Sequence, residues 1–222
     1  MPRCVVLCDR PVNPALLLSL VLGVVVAAAL VGWLLARQRA VAADAARASR
    51  LRPWEALVLS RTDLHLAVDE YGVATLHGIA HGQRYTVRCV RPTETEARPW
   101  LVVGARRPEA GAKLWIAPHT RDGEPSLPAE PAEFPLRCET GDGDFDARLV
   151  VFSDRAAADG LLTPEVRAAM QLFPDPWITL SDTALSMKLS YLDESDLDEA
   201  RVDALRTIVR GLCGPRAPRA ET

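Results

Sequence analysis

Apolar residues follow three different rhythms along this chain, and each predicts a different kind of element. The first is an unbroken run. Residues 14–36, PALLLSLVLGVVVAAALVGWLLA, carry no charge, and at ~1.5 Å per residue a helix of this length crosses the ~30 Å hydrocarbon core of a bilayer. A cleaved signal peptide has a shorter apolar core, followed directly by a small-residue cleavage site. Here Arg37 and Arg39 stand between the run and the AVA at 40–42, so the pattern predicts a retained single-pass anchor that meets the lipid bilayer through residues 14–36. Residues 37–52 are rich in Ala and Arg and predict a basic, helical juxtamembrane stalk, which Pro53 stops.

The second rhythm is alternation. VATLHGIAHGQRYTVRCV, 73–90, predicts two strands around a turn at His81-Gly82-Gln83, with Tyr85, Val87 and Cys89 opposed to Thr86 and Arg88. WLVVG (100–104) and KLWIA (113–117) predict further strands, and together these make a meander. FPLRC (134–138) follows, then RLVVF (148–152), apolar on both faces and therefore central. WITL (177–180) and ALSMKLS (184–190) predict the clearest hairpin, joined through Ser181-Asp182-Thr183, with Leu185, Met187 and Leu189 inward and Ser186, Lys188 and Ser190 toward water.

The third rhythm is helical. In LLTPEVRAAMQLF, Thr163 caps, Pro164 takes the first helical position, Glu165 complements the dipole, and Val166, Ala169, Met170 and Phe173 form the buried stripe. A last helix is predicted from near Ser195, with Asp198 as capping-box partner and Leu197, Ala200, Ala204, Leu205, Ile208 and Leu212 at helical spacing. The sum is an α+β fold: one N-terminal transmembrane helix, then a single domain of mostly antiparallel short strands with two or three helices, the last C-terminal. The expected boundaries are a short tail 1–13, the anchor 14–36, the stalk 37–52, a soluble domain 53–213 with a proline-rich loop 118–135, and a tail 214–222. There is no internal repeat.

Charge adds orientation. The net charge of −3 over 222 residues gives no global attraction to nucleic acid. Lys113 and Lys188 are the only lysines, which resembles the coding bias of a GC-rich genome. Arg37, Arg39, Arg47, Arg50 and Arg52 follow the apolar run and only Arg3 and Arg10 precede it, which predicts a cytoplasmic C-terminal domain; Trp33 fits an interfacial anchor. The stalk arginines serve as a topology determinant, although basic residues so near the bilayer can also contact anionic headgroups. Five cysteines, Cys4, Cys8, Cys89, Cys138 and Cys213, include no C-x-x-C pair. They argue against a disulfide framework and predict buried thiols at Cys89 and Cys138 in a reducing compartment.

Candidate chemistry is sparse. No nucleophile elbow, phosphate-binding glycine loop or H-E-x-x-H occurs. GDGDFDARLVVFSD, 141–154, spaces Asp142, Asp144 and Asp146 like a calcium loop, but the sixth position is Ala147 and the twelfth Ser153. Without the glycine and the closing acid it reads as a solvated turn formed by Gly141 and Gly143. His77 and His81, four apart, could meet a metal with Cys89 or His65; at a hairpin turn they read as solvated instead. Asp193, Glu194, Asp196, Asp198 and Glu199 read as a wet helix cap. Pro125, Pro128 and Pro131 have P-x-x-P spacing but read as a spacer. Ser19, Gly23 and Ala27, with Ala28 and Gly32, have the spacing of a helix-pairing face, which leaves self-association open.

The succession FDARLVVFSDRAAADGLLTPEVRAAM, ITLSDTALSMKL and a terminal helix, over residues 144–213, resembles a bacterial family of membrane-anchored domains of unknown function. The resemblance implies N-terminal membrane helices and a cytosolic α+β domain ending in this strand, helix, hairpin and helix order. This chain has one such membrane helix where that family has two, and the family offers no catalytic residues to carry over. The expected function is therefore a non-catalytic interaction or scaffold module at the inner leaflet that binds a protein or itself, with a membrane-bound hydrolase as the alternative. No catalytic, cofactor-binding or metal-ligating residue is assigned, and no cofactor is expected.

Overall fold

The computed structural model describes residues 14–70, 72–91, 98–119, 133–155 and 160–214. The expected N-terminal tail, most of the proline-rich loop with its P-x-x-P prolines, and the tail beyond Gly214 lie outside the described residues. The chain divides into two compact units, residues 1–49 and 50–222.

The first unit contains most of α1 (Pro14–Ser60), a single 47-residue helix. Among its described side chains, Leu22, Val24, Val25, Leu30, Val31, Trp33 and Leu34 are each about half exposed or more. The guanidinium of Arg37 stacks over Trp33, 5.4 Å from the ring centre.

The helix does not stop at Pro53, contrary to the sequence expectation. Proline deletes the amide that would bond the Ser49 carbonyl and costs about 3 kcal/mol in a helix interior. The following turn delivers Trp54 and Leu57 into the core of the second unit, at 0% and 6% exposure. Burying side chains of that size is worth about 1.5–3 kcal/mol each, enough to offset the defect.

The second unit is built on one antiparallel sheet of nine strands: β1 (Leu64–Val68), β2 (Ala74–Ala80), β3 (Gln83–Val90), β4 (Trp100–Arg106), β5 (Leu114–Pro118), β6 (Leu136–Cys138), β7 (Leu149–Ser153), β8 (Pro176–Leu180) and β9 (Ala184–Ser190). Three helices accompany it, α2 (Gly143–Arg148), α3 (Pro164–Met170) and α4 (Glu199–Cys213). The spatial order is β1-β2-β3-β4-β9-β8-β5-β7-β6. The fold is thus α+β, with the last helix C-terminal.

The predicted meander holds for β2 to β4, with the unpredicted β1 added at its edge, and fails at β5, because the β8–β9 hairpin enters between β4 and β5. Val103 pairs with Met187, and Ile116 with Ile178. The hairpin offers apolar residues on the same pleat as both neighbours, so inserting it joins two half-sheets over one continuous core. The strand predicted as central, β7, does have neighbours on both sides, β5 and β6.

Local signals account for most element ends. His81 and Gly82 connect β2 to β3 with φ of 49° and 83°, the backbone hand that a two-residue hairpin needs. Thr163 caps α3 through the Val166 amide, with Pro164 in the first turn. The last helix begins at Glu199 rather than near Ser195: the carboxylate of Asp198 accepts the Arg201 amide, while Asp193 holds a separate turn through Ser195. Leu197, Ala204, Leu205, Ile208 and Leu212 are buried as expected, but Ala200 is exposed.

The aspartate-rich stretch is more than a turn. Gly141 takes positive φ, at 74°, whereas Gly143 lies inside the six-residue helix α2. Asp142 caps that helix by accepting the Phe145 amide and pairs with Arg167 at 3.1 Å. The Asp146 carboxylate turns back to accept from Thr140 N, Thr140 Oγ and Gly141 N, at 2.9–3.1 Å. Phe145, between them, is fully buried.

Candidate functional site

Alternation divides the strand residues of the sheet into two sets. One set, including Leu76, Tyr85, Val87, Leu101, Val103, Met187, Ile178 and Ile116, is buried and belongs to the main core with Trp54, Phe173 and the apolar stripe of α4. The other set forms the outer face. Cross-strand pairing aligns one residue from every strand into a single row on that face: His65, His77, Thr86, Gly104, Ser186, Thr179, Trp115, Phe152 and Arg137. At ~4.8 Å per strand the row is ~38 Å long.

The row has three sections. His65 and His77 occupy one end, with ring centres 6.3 Å apart. Thr86, Gly104, Ser186 and Thr179 follow, small side chains that leave the pleated surface low. Beyond them Trp115 stacks against Phe152 and Trp177, at 5.6 and 5.9 Å, over a satellite core with Ala117, Phe134 and Val150. The adjacent row runs Thr75, Arg88, Val102, Lys188 and Trp177. Lys188 Nζ sits 4.4 Å from the centre of the Trp100 ring, and Arg88 donates to Thr75 Oγ1 at 3.1 Å.

Charge on the outer face has one sign. Its charged strand residues are Arg84, Arg88, Arg106, Arg137 and Lys188, and no Asp or Glu occupies an outward strand position among the described residues. This occurs in a chain with 29 acidic and 26 basic residues. Elsewhere charges pair within the protein. Arg61 and Arg206 alternate with Asp63 and Asp203 at 2.8–3.5 Å where β1 meets α4. The hydrogen bond to Asp203 raises the Arg61 pKa.

The residues singled out for chemistry do not converge. His77 lies on the outer face, and His81 is at the β2–β3 turn, where its Nε2 is 3.3 Å from Arg210 Nη1. Cys89 lies on the opposite, core-facing side, beside Glu194. Among the described residues, no group of three His, Cys, Asp or Glu side chains is placed to hold a metal ion. An open cleft of about 260 Å³ is lined by His81, Asp203, Arg206, Thr207 and Arg210, but Arg206 and Asp203 are already engaged in the four-residue ion-pair ring.

Two expectations about side chains need correction. Glu194 is not wet: it is 7% exposed and pairs with Arg91. Cys89 hydrogen-bonds to it, and burial, reinforced by the Glu194 charge, pushes that thiol up to about 12. Burying the sulfur and one carboxylate of the acidic run together satisfies both, which sequence spacing alone does not reveal. Cys89 and Cys138, both expected to be buried, are each only half-buried, Cys138 on edge strand β6 with Leu136 exposed beside it; among the described residues the deeply buried thiol is Cys213, pushed up to about 11 by burial.

The basic outer face was missed because its five cations come from four separate sequence segments. The usable signal was the polar half of each alternating strand, read together. Comparison with known proteins finds no match to this chain in any protein family, in any curated protein or in any solved structure, so the resemblance over residues 144–213 rests on the order of its elements alone.

Proposed function

We propose that this chain is a membrane-anchored, non-catalytic interaction module: residues 14–36 span the bilayer and the α+β domain works at the inner leaflet. One observation carries the reading. The described apolar side chains of α1 from Leu22 to Leu35 are each about half exposed or more, in a stretch long and apolar enough to cross a membrane. A contiguous apolar surface of that extent is unfavourable in water and is accommodated by a lipid environment. The arginines at 37–52 support the cytoplasmic side for the domain.

The dispersal of His77, His81 and Cys89 over different faces supports a binding rather than a hydrolytic role, as do the raised pKa values of half-buried Cys89 and buried Cys213, which keep both thiols protonated at neutral pH. Alkaline extraction of membranes from cells expressing the full chain tests the anchor. The protein is expected to remain in the pellet; release into the supernatant together with peripheral proteins contradicts the reading.

A further inference from the structure

From the charge and composition of the outer sheet face we infer that this face docks on anionic lipid headgroups; the inference rests on the membrane-anchored reading above. Three observations meet there. First, four strands contribute five cations: Arg84 and Arg88 on β3, Arg106 on β4 and Lys188 on β9 lie on three neighbouring strands, Arg137 lies on the far edge strand β6, and no Asp or Glu occupies an outward strand position among the described residues. Second, Trp100 and Trp177, both partly exposed, stand on the same face, and Trp with Lys and Arg is the composition of surfaces that sit at the headgroup level. Third, the Thr86, Gly104, Ser186 and Thr179 section is low and small, so the charged side chains around it can reach a flat surface without steric interference.

A bilayer is favoured over other polyanions by tethering. The anchor keeps the domain next to lipid at a high effective concentration, so weak contacts suffice there that would not retain a soluble partner. Each basic residue near an anionic surface strengthens binding roughly fivefold at physiological ionic strength. The cations lie on three neighbouring strands and on the far edge strand β6 without converging on one point, which suits an extended array of charges better than a single compact ligand.

The test uses the full chain reconstituted in lipid nanodiscs, with Cys4, Cys8 and Cys138 replaced by Ser and an environment-sensitive fluorophore attached at Ser186→Cys, in the low section of the face. In discs containing about 30% anionic phosphatidylglycerol, the label is expected to shift to the blue and its quenching by aqueous iodide to fall several-fold, relative to discs of neutral phosphatidylcholine. About 0.5 M salt should reverse both changes. The charge-reversal variant Arg88→Glu/Arg106→Glu/Lys188→Glu should lose the response while keeping its melting temperature. Equal quenching in the two lipid compositions overturns the inference and leaves the anchor intact. Protection that appears only when polyglutamate or RNA is added to neutral discs overturns lipid as the occupant. A chain that fails to incorporate into neutral discs overturns the anchor itself, and this inference with it.

Discussion

The two faces of the sheet are built from the same strands, yet they answer to different constraints. On the inner face every position is committed. Leu76, Val87, Leu101, Val103 and Met187 are fully buried, and Trp54, Phe173 and α4 fill the space above them. On the outer face the middle of the row is small, Thr86, Gly104, Ser186 and Thr179, with Arg88 and Lys188 in the row beside it, and packing explains few of these. Only the Trp115, Phe152 and Phe134 corner behaves as core. A face freed from core packing keeps its side chains for another use, and a uniform sign of charge there is informative in a way that a uniform apolar face is not.

The largest effects should come from the inner face. Trp54→Ala empties a fully buried site where the end of α1 joins the domain core, and should destabilise by about 3–5 kcal/mol, read from thermal or denaturant unfolding of detergent-solubilised protein. A loss below ~1 kcal/mol would mean that the end of α1 does not belong to the domain core. Next is Gly78→Ala on β2. A Cβ there would overlap the Tyr85 ring across the strand pair, so overpacking should cost about 1–3 kcal/mol. Combining it with Tyr85→Leu should recover part of that loss, because the clash partner is gone.

A third prediction separates the faces by pH. Burial raises Cys89 and Tyr85 to about 12, from ordinary values of 9.0 and 10.0, and Cys213 from 9.0 to about 11. The folded chain therefore holds protons that the unfolded chain has released. Stability from these groups is complete below about pH 9 and declines as pH rises from about 9 toward 12. The melting temperature should fall through that window, and a flat profile would mean that these groups are hydrated. The smallest effect belongs to the outer face: Arg106→Ser should change stability by no more than about 0.5 kcal/mol, and a loss several times larger would assign that face a structural role.

Legibility followed sequence distance. The caps of α3, the β2–β3 turn and the β8–β9 hairpin depend on residues a few positions apart, and their chemistry is explicit in the sequence: Thr163 before Pro164, His81 before Gly82, Leu185 alternating with Ser186. Pro53 inside α1 was not legible, since what overrides the proline is the burial of Trp54 and Leu57 against residues far along the chain. The insertion of β8 and β9 between β4 and β5 was hidden for the same reason, as several orders satisfy the same alternation. Asp146 and Glu194 illustrate the limit for polar residues. Each lies in an acidic run that reads as solvent-facing, and each is enclosed by partners, Thr140 and Gly141 in one case and Arg91 with Cys89 in the other. The outer-face cations needed strand register before they could be seen as one surface.

The central claim, that residues 14–36 separate the N-terminus from a domain at the inner leaflet, is tested most directly by labelling intact cells that express the Leu59→Cys chain. Leu59 is 88% exposed in the last turn of α1, while Cys4 and Cys8 precede the apolar run in the sequence. After treatment with a membrane-impermeant maleimide and mapping of the modified peptides, Cys4 and Cys8 should be labelled in intact cells, and the cysteine at position 59 only after permeabilisation. Labelling of position 59 in intact cells, or protection of all three sites until permeabilisation, would contradict the account.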